Sequence, residues 1–246
     1  MIEHKIDDIR IYNTSKIFDN IKKEEIGDIV AEWVVDNLEK DLVTEIFEKN
    51  YEGFSNTDKK IILVRTNDRL SASRRQRFYA VKTATDEYLK ENKNLNVIGF
   101  TRFRLQNYKE YLKNTIDDTI EKYLVEKEYK EFINLIKEYL VYQDSFINIL
   151  NVFTERNKYV YMDEKGEDIT ARLEDTFIVD DNLSESDKLL TILILCNPKK
   201  INWHNPNKGE NKDLIKTVIS IFGGRVKFHK NCEPFAVFDS NRLDNL

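Results

Sequence analysis

The chain has 246 residues, a formal net charge of −5, 34% charged residues and 41% hydrophobic ones. This length supplies one large domain or two small ones with a sizeable core. The negative balance argues against a general nucleic-acid coat protein, because neutralising phosphate takes a basic surface.

Seven glycines and three prolines are few for the length and leave long stretches free to be helical. Cys196 and Cys232, the two cysteines, make no disulfide framework and fit a reducing cytoplasm. The opening MIEHKIDDIRIYN carries acids where a signal peptide needs a basic end and an apolar core. The longest apolar run in the C-terminal half, Leu189 to Cys196, falls far short of the roughly 20 residues of a spanning helix and belongs in a core. A cytoplasmic protein without membrane insertion is expected.

In chain order, HKIDDIRIY suggests an edge strand through Ile6, Ile9 and Ile11. From Glu24 to Lys49 the apolar residues Ile26, Ile29, Val30, Trp33, Val34, Leu38, Leu42, Ile46 and Phe47 recur at three and four residues, which predicts a helix ended by Gly53. Thr57 can cap a helix from Asp58, with a short buried strand KKIILVR as the competing reading. After a polar, basic stretch from Asn67 to Arg77, Phe78, Val81, Ala84, Tyr88 and Leu89 mark a second amphipathic helix, broken by Asn92, Asn94 and Asn96.

The block from Gly99 to Gln143 has no Gly or Pro after Arg104 and reads as continuous or nearly continuous helix. Leu105, Tyr108, Leu112, Ile116 and Tyr123 form one stripe, and Val125, Tyr129, Phe132, Ile136 and Leu140 a second. The stripes do not join cleanly, so a bend or break is expected between Tyr123 and Glu128.

Farther on, Tyr159–Met162, the turn Asp163–Gly166 and Asp168–Thr170 read as a hairpin. Ser184 with Asp187 caps a helix through LLTILILC that Pro198 stops. KINWH, the stretch Lys212 to Phe222, and RVKFH give strand, helix, strand, a small parallel βαβ unit. The expected fold class is α+β: a helical region over 1–150 with a long helix near 100–143, then a small α/β unit with a hairpin over 151–246.

The main block also resembles the YtxC-like family of sporulation proteins from spore-forming Gram-positive bacteria. The resemblance runs through Gly99-Phe100, Phe103-Arg104, Tyr108, Glu126-Lys127-Glu128-Tyr129 and Phe132, and continues through LLTILILCNPKKINWH and IKTVISIFGGRVKFHKNC. It covers roughly residues 90 to 235; the first 90 match in general helical character. The resemblance implies a sporulation context and brings no assigned activity or catalytic residues. It also implies a pair of neighbouring cysteines near the C-terminal end, where this chain has Cys232 alone.

Two constellations carry possible chemistry. Arg65, Arg69, Arg74, Arg75, Arg77, Arg102 and Arg104 cluster in sequence. Guanidinium groups bind phosphate or carboxylate bidentately, and Phe100, Phe103 and Tyr108 offer rings on which bases stack. The ordinary reading pairs these arginines with acids such as Asp86, Glu87 and Glu110. His204 and His229 follow the carboxyl ends of the two βαβ strands, where ligands gather in open α/β sheets; with Cys232 they offer zinc donors. A fourth ligand is missing, Asp213 and Glu233 being the nearest guesses, and the ordinary reading of all three donors is structural.

Glu126, Glu128 and Glu131 are spaced for a solvated helix face. No phosphate loop, dinucleotide glycine pattern, hydrolase elbow or HExxH motif is present, and no cofactor is expected. The tyrosine-rich stripe Tyr108, Tyr111, Tyr123, Tyr129, Phe132, Tyr139 and Tyr142 is divided between core and partner interface. The expected function is a non-enzymatic interaction protein that binds another protein or itself. A nucleic-acid or anion binder using Arg74, Arg75, Arg77, Arg102 and Arg104 is the second reading, and a metal protein using His204, His229 and Cys232 the third.

Overall fold

The computed structural model describes residues 23–92, 95–155, 158–177, 180, 182–206 and 212–230. The strand read from HKIDDIRIY lies outside them, as does Cys232. The described chain is mostly helix with one four-stranded mixed sheet in its C-terminal part, so the fold is α+β. It divides into two compact units between Glu126 and Lys127. No helix among the described residues is long and apolar enough to cross a membrane.

The first unit begins with α1 (Lys23–Trp33) and α2 (Glu39–Asn50), joined through a wide turn at Val34–Leu38 in which the Glu39 N–H reaches back five residues to the Val34 carbonyl. The cause is visible in the spacing. Val34, Leu38, Leu42 and Ile46 advance in steps of four, and each step overshoots a 3.6-residue turn by about 40°. One wider turn cancels much of that drift and keeps both halves on the core.

Next come α3 (Asn56–Ala72) and α4 (Arg74–Glu91). Ser55 rather than Thr57 caps α3, accepting from the Asp58 N–H at 3.1 Å. KKIILVR is helix, not strand: Ile62, Thr66 and Leu70 are buried while Val64 between them is exposed, whereas a strand would put Val64 on the same face as Ile62 and Thr66. Asn96 caps α5 (Val97–Phe103), accepting from the Gly99 N–H at 2.8 Å.

The chain then enters α6 (Gln106–Tyr142), an unbroken 37-residue helix. The interruption expected between Tyr123 and Glu128 therefore falls instead at Arg104-Leu105. The first stripe is as read: Leu105, Tyr108, Leu112, Ile116 and Tyr123 are buried. The second is displaced, with Ile133 and Leu140 buried and Val125, Tyr129 and Phe132 exposed. A helix with apolar residues on more than one side does not declare which side the core takes.

At the centre of this unit lies a buried ion pair. Arg77 and Glu39 are 3% and 6% exposed, and the guanidinium donates to both carboxylate oxygens, at 2.5 Å and 2.8 Å. Its remaining terminal nitrogen donates to the Leu70 carbonyl and to Ser73 Oγ. The Tyr108 hydroxyl donates to Glu39. Burial, then the charge and hydrogen bond of Glu39, hold the Tyr108 hydroxyl protonated well beyond the ordinary tyrosine range.

The second unit contains β1 (Ile149–Glu155), β2 (Lys158–Met162), α7 (Thr170–Phe177), α8 (Glu185–Cys196), β3 (Lys200–His204), α9 (Lys212–Phe222) and β4 (Val226–His229). The strand order is β2-β1-β3-β4, with β1/β2 antiparallel and β1/β3 and β3/β4 parallel. The βαβ unit is β3–α9–β4, as read. The hairpin is corrected: β2 pairs backwards with β1, from Asn151↔Met162 to Glu155↔Lys158, while downstream there is a single bridge, Met162↔Asp168. Asp163 Oδ1 accepts from the Lys165 and Glu167 N–H groups, a side-chain turn that leads into α7 instead of a return strand. Ser184 caps α8 through the Asp187 N–H.

Leu150, Val152, Ile201 and Trp203 from the sheet share a core with Leu189, Ile192 and Leu193 of α8, Val218 and Phe222 of α9, and Ile133 and Leu140 of α6. Asn197 ties its helix ends together. It closes α8 in a left-handed conformation, φ 43°, which asparagine tolerates. Its amide donates to the Leu140 and Gln143 carbonyls at the end of α6, at 2.9 Å and 2.7 Å, and its oxygen accepts from Arg225 at 2.7 Å.

Trp33 lies in the first unit and Trp203 in the second, so each unit can be followed by its own fluorescence. In a Trp203→Phe background, Arg77→Ala should destabilise the first unit by about 3–5 kcal/mol in urea titrations of Trp33 emission, because Glu39 is left charged and buried. In a Trp33→Phe background, Asn197→Ala should cost the second unit about 2–4 kcal/mol, combining lost hydrogen bonds with an alanine forced to positive φ. Asn197→Gly, which relieves the backbone, should recover part of it.

Candidate functional site

The five arginines singled out by sequence are spread over α4 and α5 rather than gathered in one cradle. Arg74 grips Asp36 with two parallel hydrogen bonds, 2.9 Å and 2.7 Å. Arg77 is the buried partner of Glu39. Arg75 is exposed, its guanidinium 5.9 Å from the centre of the Tyr79 ring. Arg102 approaches Glu45 at 3.9 Å with both side chains in solvent, and Arg104 is exposed at the end of α5. Nearby, Arg65 pairs with Glu126 and Arg69 with Asp118. The acids met are thus Asp36, Glu39, Glu45, Asp118 and Glu126, not the expected Asp86, Glu87 and Glu110. Of the three rings offered for stacking, Phe100 and Tyr108 are core while Phe103 is 75% exposed.

His204 and His229 do stand together at the carboxyl ends of β3 and β4. They are register partners, and Phe153 of β1 completes the row. The Phe153 and His204 rings stack at 4.2 Å, and His204 and His229 at 4.8 Å. Both ring nitrogens of His204 and Nε2 of His229 are buried without a hydrogen-bond partner among the described residues. Stacking presents ring faces to one another, whereas a shared metal ion needs converging nitrogen lone pairs. Among the described residues no group of three His, Cys, Asp or Glu side chains is placed to hold a metal. Asp213 lies against Lys216 at 2.9 Å; Glu233, like Cys232, lies outside the described residues. Cys196 is enclosed in the second core, its thiol pushed up to about 12 by burial, which makes it a poor nucleophile.

Burial, with His229 adding to it, lowers His204 from 6.5 to about 4. The neutral ring therefore belongs to the folded state. The contribution to stability is complete above pH 6.5 and is lost as pH falls toward about 4, because the unfolded chain takes up the proton first. Between pH 7 and pH 5 the wild type should lose about 2 kcal/mol more than His204→Phe, read from Trp203 emission in urea.

A third place was only half visible in the sequence. Within the second unit, α6 presents Phe132, Leu135, Tyr139 and Tyr142 to solvent at 51%, 65%, 50% and 89% exposure. The aromatic members were flagged by composition. Leu135 was not, although the spacing 132, 135, 139, 142 is the three-four alternation of a helix seam. On its other side the same segment packs: Ile133 and Leu140 are buried, and the Tyr129 hydroxyl meets Thr217 of α9 at 3.0 Å. Exposed large apolar side chains in a contiguous row mark interaction surfaces.

Nothing among curated proteins or solved structures matches this chain. The model of the YtxC-like family matches residues 24–227. That span runs from α1 into β4 and takes in both compact units, including the first helices, which sequence inspection had matched only in general character. His229 lies just past its end. The matched span covers most of the chain, and the chain belongs to the YtxC-like family.

Proposed function

We propose that the protein is a non-enzymatic interaction module of the cytoplasm of sporulating cells, and that it binds another protein on the exposed face of α6. The observation that carries this is the row Phe132, Leu135, Tyr139 and Tyr142, apolar and in solvent on a helix whose opposite side is core. Aromatic anchors of this kind dominate protein interfaces. Membership of the YtxC-like family supports the sporulation context. The candidate chemical groups support the same reading: Arg74 and Arg77 are engaged by carboxylates, and the paired histidines stack instead of converging.

The reading is tested by affinity capture from sporulating-cell lysate, with mass spectrometry, using the wild type, a Phe132→Ser/Leu135→Ser/Tyr139→Ser variant and an Arg102→Ala/Arg104→Ala variant. The expected result is a defined protein set that survives nuclease and the arginine variant and is lost, by about tenfold or more, with the serine variant. Capture that ignores the serine substitutions overturns it. Capture that vanishes with nuclease and with the arginine variant replaces it by nucleic-acid binding.

A further inference from the structure

The exposed row on α6 carries acids along its length. Glu128, Glu131 and Glu138 are exposed, and with Leu135 and Tyr142 they make a second three-four row, 128, 131, 135, 138, 142, interleaved with the aromatic one. None of the three acids is in an ion pair among the described residues. Lys130 and Lys137 stand one turn before the buried Ile133 and Leu140 and so belong to the other side of the helix; Lys127, one turn before Glu131, is half-buried and already engaged, one cation beside three exposed acids. The face is therefore apolar and negatively charged at once.

We propose that its partner is a basic amphipathic helix, with an apolar stripe at three- and four-residue spacing flanked by lysine or arginine. This rests on the interaction reading and specifies the partner. A helix fits because the surface is itself a helical seam, and seam partners choose one another through the charges that flank the apolar positions. A purely apolar partner would desolvate three carboxylates with nothing opposite them, which is costly. A second copy of this face would bring a further set of the same acids, and like charges across a seam disfavour the pair. Nucleic acid and acidic lipid are repelled for the same reason.

The test uses the full chain and two synthetic helical peptides with identical leucine stripes, one flanked by lysine and one by glutamate, followed by fluorescence anisotropy. The lysine peptide should bind at least about tenfold tighter, with the difference shrinking in high salt. Glu131→Lys/Glu138→Lys should reverse the preference, and Leu135→Ser should weaken both peptides. These residues are exposed, so circular dichroism should show all variants folded. Equal binding of the two peptides, no binding of either, or indifference to charge reversal overturns the proposal. A concentration-dependent dimer in sedimentation that Leu135→Ser dissolves would do so in favour of self-association. If lysate capture depends on the apolar row but not on Glu131 and Glu138, the partner is not basic, and the interaction reading stands without this one.

Discussion

The first unit is organised around a charge pair that water does not reach. Glu39 opens α2, Arg77 lies in α4, the Leu70 carbonyl and Ser73 come from the junction of α3 and α4, and Tyr108 comes from α6. A buried ion pair of this kind adds little net stability over an apolar replacement, yet losing one partner is expensive. Its consequence is geometric. Arg77 has a fixed fork of donors, and satisfying that fork and Glu39 together requires four stretches of chain to arrive in one arrangement. Hydrophobic burial around it, from Val30, Val34, Ile62, Leu70 and Leu112, supplies the driving force without that selectivity.

The same division of labour recurs in the second unit. Apolar burial between the sheet and its helices is undirected, whereas Asn197 binds the last carbonyls of α6, terminates α8 and holds Arg225. One helix thus contributes to both cores, through Tyr108 to Tyr123 in the first and Ile133 and Leu140 in the second. Because its later residues bury one side alone, the row at Phe132 and Tyr142 is left over, and function is sought there rather than in a cavity.

Strong periodicity and capping chemistry were legible in the sequence: α1 and α2, the Ser184 cap, and the β3–α9–β4 crossover followed from them. The helix from Asp58 was legible too, over the competing strand KKIILVR, since Ile62, Thr66 and Leu70 are buried and Val64 is exposed. What failed shares a cause, namely competition between equally apolar alternatives. β1 went unread because Leu150, Val152 and Phe153 are buried on both faces of the pleat, so its alternation is absent. Arg77 looked like its neighbours in a basic run; its partner Glu39 lies 38 residues away, and no local rule links them. The histidine row was found from strand ends alone, since parallel register sets His204 beside His229 once the crossover is right. The face of α6 could not be chosen, because both of its sides are apolar.

The wide turn at Val34–Leu38 bears on how this chain tolerates length changes. In a regular α-helix, removing one residue turns everything beyond it by about 100°. This turn holds one residue more than an α-turn, so a deletion inside it would leave an ordinary α-helix with Glu39 still directed toward Arg77. The first unit would absorb the loss of a residue at this one point, whereas the same deletion in the middle of α3 or α4 would carry buried side chains away from their partners.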